Sequence, residues 1–173
     1  MKNVHKLALI AILTAGAIVI SIIESFIPSV GIPGIKLGLA NILILVTLYE
    51  LGVKEAVFVN ISRVLLSALL RGTIFGMGFF MSVAGAIFSF LAMLVLFLLI
   101  KKFSIIGVSV VGSIFHVLAQ LAVAWIYLGS VVVFVYLPFI MLSALLTGIF
   151  VGAVARLIIK TGIIKKQKET YNF

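Results

Sequence analysis

The chain has 173 residues, of which 65% are hydrophobic and only 10% charged, with a mean hydropathy of +1.46. A water-soluble domain of this length would lack a polar surface, so the composition specifies an integral membrane protein. The net charge of +9, the absence of cysteine and the absence of aspartate further exclude disulfides, thiolate metal sites and a carboxylate cluster able to hold Mg²⁺. Charge at the ends of apolar runs attracts anionic lipid, and no nucleic-acid partner is expected.

Spanning helices need about 20 apolar residues, and six runs fit. The first covers 5–27, after Lys2 and Lys6. It opens like a signal peptide, but at about 20 residues it exceeds a usual h-region and reads as a retained helix. It ends at Pro28, and a turn-rich stretch runs through Gly31, Pro33 and Gly34. The second run covers 36–51 and the third 54–71. Gly76 and Gly78 break the chain before the fourth, 79–100. The fifth covers 103–128, and Gly129 and Ser130 precede the sixth, 133–160. A basic tail occupies 161–173. The expected fold is an all-α bundle of six transmembrane helices.

Ten of the thirteen basic residues fall on one side of this arrangement: Lys2, Lys6, Lys54, Lys101, Lys102, Arg156, Lys160, Lys165, Lys166 and Lys168. Lys36 and Arg71 fall on the other, and Arg63 lies within the third run. The positive-inside rule then places both termini in the cytoplasm. Trp125, Tyr127 and Tyr136 fall at the expected outer boundary, as interfacial aromatics do.

Polar side chains at bilayer depth are costly and usually face protein or a cavity. Arg63 is near mid-helix, with Asn60 one turn earlier on the same face. His116 and Gln120 share a face of the fifth run, Asn41 lies in the second, and Glu24 is near the outer end of the first. An Arg63–Glu24 ion pair is one reading, and interhelical hydrogen bonding accounts for the amides and His116. Against that, the outer half holds Lys36, Arg63 and Arg71 against Glu24 alone. The excess favours an anionic ligand group entering from outside, and a helix start at Lys36 would add a site for it. Ala11-x-x-x-Ala15 and Gly148-x-x-x-Gly152 mark close packing, within the chain or against a partner.

The run Pro33-Gly34-Ile35-Lys36-Leu37-Gly38-Leu39-Ala40-Asn41-Ile42, continued by Arg63-Val64-Leu65-Leu66-Ser67, by Phe103-Ser104-Ile105-Ile106-Gly107-Val108-Ser109 and by His116 and Gln120, resembles the Gx transporters. This bacterial membrane family is also described as heptaprenyl diphosphate synthase component I. The family is similar to the S components of energy-coupling factor (ECF) transporters, six-helix vitamin-capture proteins with an Ala-x-x-x-Ala face on helix one, which Ala11 and Ala15 match. The resemblance implies a bacterial cell-membrane protein that binds a small molecule. The polar residues of the runs supply the expected ligand set, Lys36, Asn41, Asn60, Arg63, His116 and Gln120, with Glu24 as charge partner, and no cofactor or metal is expected. The chain has no G-x-x-x-x-G-K-[ST] motif, so ATP-driven transport would draw on a membrane coupling subunit and ATPases supplied in trans. Two other classes follow from the same resemblance: a membrane subunit of a flavin- or quinone-linked electron-transfer system, and a non-catalytic accessory of heptaprenyl diphosphate synthesis.

Prenyl elongation uses Mg²⁺ held by clustered carboxylates. The purified chain, given Mg²⁺ and prenyl substrates, is therefore expected to form no prenyl diphosphate. Turnover by this chain alone, measured as product formation, would refute that expectation.

Overall fold

The computed structural model describes residues 2–27, 35–100 and 103–162. The turn expected at 28–34, Lys101 and Lys102, and residues from 163 on, with Lys165, Lys166 and Lys168, lie outside the described residues. Six α-helices follow one another: α1 (Lys2–Glu24), α2 (Asn41–Glu50), α3 (Val53–Leu70), α4 (Met77–Leu99), α5 (Ile105–Leu128) and α6 (Leu137–Thr161). A 3₁₀ turn, Val131–Tyr136, leads into α6. No strand occurs among the described residues. Four segments, Val4–Glu24, Met77–Leu99, Ile105–Leu128 and Val131–Thr161, are long and apolar enough to cross a membrane. The chain is an all-α, multi-pass membrane protein.

The remaining two helices are shorter or more polar for identifiable reasons. The 18 residues of α3 include Lys54, Glu55 and Arg63. The ten residues of α2 span about 15 Å at 1.5 Å per residue, half of a hydrocarbon core of about 30 Å. This helix begins at Asn41, five residues later than the expected start at 36. Gly38, with φ +86°, breaks the helical path. Residues 35–40 instead run as non-helical backbone into a turn closed by Asn41 N–H to the Gly38 carbonyl at 3.0 Å and Ile42 N–H to that of Leu39 at 3.1 Å.

At other ends the differences are smaller. Helix α1 stops at Glu24 rather than 27; Ser25 Oγ donates to the Ile22 carbonyl at 2.6 Å, competing with helical pairing. Helix α5 is capped by Ser104, whose Oγ accepts from Gly107 N–H at 3.0 Å. Pro138 stands in the first turn of α6, where its missing N–H costs nothing.

The short α2 is central. Ile44, Leu45, Val46 and Thr47 have no exposure, and the helix packs on α1, α3 and α6. A helix surrounded by protein is apolar on every side, as NILILVTLYE is. A second apolar cluster joins Met81, Val117, Leu121, Val133, Ile140 and Ala144 at the α4–α5–α6 end near the 3₁₀ turn. The packing of α4 on α5 and of α5 on α6 is the most extensive, whereas α3 touches α4 sparsely. At the other end of the bundle, Lys6 of α1 is ion-paired to Glu55 of α3.

Gly148 and Gly152 serve the α5–α6 seam. A Cβ at Gly148 would lie 2.7 Å from Val110 Cα, and one at Gly152 2.6 Å from Ile106 Cα. Both obstacles are backbone, so the helices would have to separate. Gly152→Ala should therefore lower stability by about 1–3 kcal/mol, the usual cost of overpacking. Gly78→Ala, with nothing within 4 Å, is the control. Thermal unfolding in detergent checks both; equal midpoints would show that the seam tolerates a methyl group.

Candidate functional site

A polar cavity lies in the half of the bundle away from the N-terminus of α1. Its walls are Ser21 and Glu24 of α1, Lys36 of the segment before α2, Arg63, Val64 and Ser67 of α3, Ser82 of α4 and His116 of α5. Helical spacing assembles it. Ser21 is one turn from Glu24, and Ser67 one turn from Arg63, so each pair shares a face. Arg63 is seven residues from the end of α3, about 10 Å deep. The cavity volume is about 10 Å³, room for roughly one water molecule.

Charged groups in this cavity are buried: Arg63 and Glu24 are each 4% exposed and Lys36 7%. Arg63 Nη2 donates to Asn60 Oδ1 at 2.8 Å, and Asn60 Nδ2 donates to the Ala86 carbonyl at 3.1 Å. Asn60 thus orients the guanidinium and ties α3 to α4. Arg63 Nε has no hydrogen-bond partner. Lys36 Nζ donates to Ser21 Oγ at 3.3 Å.

Glu24 and Arg63 do not form the ion pair that is one of the two readings of the sequence. No nitrogen of Arg63, Lys36 or Arg71 lies within 4.0 Å of its carboxylate. Its Oε1 accepts from the N–H of Gly38 and from that of Leu39. The carboxylate caps the unwound backbone at the entry to α2, where two N–H groups converge on the positive end of a helix. Lys36 is likewise not the first residue of a helix. Its backbone N–H donates to Gln120 Oε1 at 2.9 Å. A side chain on α5 therefore holds the segment before α2.

The Gln120 contact also settles an imidazole. With Oε1 accepting from Lys36, Gln120 Nε2 is a donor, and it lies 2.9 Å from His116 Nε2. That ring nitrogen must accept, so we assign the ring proton to Nδ1 and the neutral form to His116. Nδ1 lies beside the Gly85 backbone without a hydrogen bond of ordinary geometry. Gly85 makes room for the ring, since a Cβ there would sit 2.7 Å from His116 Cε1.

Three of the six expected ligand residues, Lys36, Arg63 and His116, line the cavity with Glu24. Asn60 and Gln120 stand behind them as supports. Asn41 points elsewhere, its Nδ2 donating to Ser89 Oγ at 3.1 Å. Arg71 is half-buried at the end of α3, where its Nε donates to the Ser67 carbonyl at 3.1 Å. Ser21, Ser67 and Ser82 were not anticipated. Their one-turn spacing from Glu24 and Arg63 was the available signal for the first two. Ala11 and Ala15 are exposed on α1, away from the cavity. No group of three or more potential metal ligands occurs among the described residues.

A family model described as heptaprenyl diphosphate synthase component I matches residues 13–158, a span that holds every cavity residue. No curated protein and no solved structure matches the chain.

Gln120 satisfies two buried partners at once. Gln120→Leu leaves the Lys36 N–H and His116 Nε2 without it, at about 1–3 kcal/mol for each unsatisfied group. Thermal unfolding should show a drop larger than that of Asn41→Leu, which removes a single hydroxyl contact. Equal drops would mean that the Lys36 segment is held by other contacts.

Proposed function

Since the chain belongs to the heptaprenyl diphosphate synthase component I family, we propose that it is a substrate-binding membrane subunit of the ECF S-component type, which captures a small anionic vitamin- or cofactor-like molecule from the outer face. The observation that carries this reading is the buried cavity in which Lys36 and Arg63 meet three serine hydroxyls and a neutral histidine. Buried cations with spare donor capacity are strong partners for a ligand anion. Arg63 retains an unpartnered Nε, so its donor set is not exhausted by Asn60. The cavity volume calls for the surrounding backbone to yield before more than a small group can enter, since ligand sites usually offer about 300–1,000 Å³.

Orientation supports the same reading. Lys6, Lys54, Arg156 and Lys160 belong to one end of the bundle, and Lys36 and Arg71 to the cavity end. Cytoplasmic loops carry the excess of Lys and Arg, so the cavity faces outward in a bacterial cell membrane and both termini are cytoplasmic. The exposed small-residue face of Ala11 and Ala15 suits close approach by another membrane helix. A coupling subunit docked there would bring ATPases in trans, and the chain itself would be non-catalytic. The family description favours a second reading, an accessory subunit beside a separate prenyl-synthesising enzyme.

Native mass spectrometry of gently purified full-length protein tests the choice. The expected result is a co-purifying acidic small molecule whose affinity falls more than about tenfold, or about 1.4 kcal/mol, in Arg63→Gln. Undiminished binding in an Arg63→Gln protein that unfolds readily would make Arg63 structural. A stable complex with a prenyl synthase whose activity depends on this chain would establish the second reading.

A further inference from the structure

The cavity of Lys36 and Arg63 is both charged and small, and the two properties together select an occupant. Lys36 and Arg63 are the cations on its wall, and Glu24 is the anion. Arg71, at the end of α3, adds a third positive charge that acts on Lys36. His116 is neutral, since its Nε2 accepts from Gln120. Among the described residues around the cavity, three cations therefore meet one carboxylate. That carboxylate is already engaged by the N–H groups of Gly38 and Leu39. Buried charge without compensation is costly. A water molecule would hydrate the cations but bring no charge, whereas an anion would offset them.

Size decides which anion. The volume of about 10 Å³ is roughly that of one water-sized sphere. A carboxylate, sulfate or phosphate has several heavy atoms and enters only after the walls yield. A halide is a single atom not much larger than a water molecule. The donors fit it as well. Ser21 donates to Ser67 Oγ, Ser67 to the Val64 carbonyl and Ser82 to the Gly78 carbonyl, so the unspent donors belong to the two cations. Arg63 is buried and its Nε has no hydrogen-bond partner. Lys36 Nζ carries three N–H groups, and its bond to Ser21 Oγ uses one. A spherical ion accepts from any direction, so donors on two different elements can share it through charge-assisted bonds.

We propose that, with its walls as they stand, this cavity is a halide site, in which Arg63 and Lys36 together hold one chloride ion. The site needs only the charges, donors and volume described, and does not depend on the S-component reading. The test is equilibrium binding of radiolabelled chloride to the purified full-length protein in sodium gluconate at near-neutral pH. Wild type should bind one ion per chain. Sodium bromide should displace it, and sodium sulfate at matched sodium concentration should not. Arg63→Gln should weaken binding at least about tenfold. Lys36→Met keeps the backbone N–H that Gln120 accepts from and should weaken it as much, which decides the matter if Arg63→Gln fails to fold. Lys160→Gln, at the opposite end of the bundle and exposed, should change nothing.

Chloride binding that does not saturate, or that is equal in wild type, Arg63→Gln and Lys36→Met, would overturn the site, because exposed bases would then account for it. Displacement by sulfate or phosphate more readily than by bromide would overturn the halide assignment and leave an anionic ligand of the proposed function standing. Chloride binding that persists beside a co-purified acidic molecule would uphold the halide site and place that molecule outside the cavity.

Discussion

Non-helical backbone buried inside protein has little water to bond to, so neighbouring groups must supply its partners. Residues 35–40 are where this chain meets that demand. The N–H of Lys36 goes to Gln120 of α5, and those of Gly38 and Leu39 go to Glu24 of α1. The segment is thus suspended between two helices far apart in sequence, and the start of α2 depends on both. Because α2 is the central helix, the placement of α1, α3 and α6 around it depends in turn on where the unwound segment lets it begin.

The same constraint explains why the polar residues cluster. Glu24 and Gln120 are drawn in by backbone. Gln120 then fixes His116, and the Lys36 side chain follows its own backbone into the interior to reach Ser21. Arg63 arrives independently on α3 with Asn60 as its orienting partner. The two groups meet in one small volume with cations in excess. The roles are therefore layered: one set of side chains secures the backbone, and a neighbouring set is left with a donor to spare.

Six apolar runs could be read from the sequence because apolar length is a local property. The burial of Arg63, Asn60, His116 and Gln120 could be read because polar residues in such runs rarely face lipid. The partner of Glu24 could not. Charge arithmetic pointed to Arg63, but the backbone amides of Gly38 and Leu39 carry no label in a sequence, and a helix was expected to consume them. The late start of α2 was hidden for the same reason, since Lys36 through Ala40 read as apolar continuation. Gly148-x-x-x-Gly152 showed that a close approach would occur but not which helix makes it; only the structure places Ile106 and Val110 there. The serines were missed because a hydroxyl on a membrane helix can bond its own carbonyls, as Ser82 does to that of Gly78, and gives little hint that it also borders a cavity.

The uneven packing of α3 and α4 gives the bundle a direction of compliance. α4, α5 and α6 are joined by the broadest contacts in the molecule and by glycine-lined close approach, so they behave mechanically as a slab. α3 meets that slab along its thinnest seam, bridged by the bond from Asn60 to the Ala86 carbonyl, while its far end is stapled to α1 by Lys6 and Glu55. Separating α3 from α4 would therefore break few contacts, and it would widen the bundle at Arg63 and Ser82, where the cavity already lies.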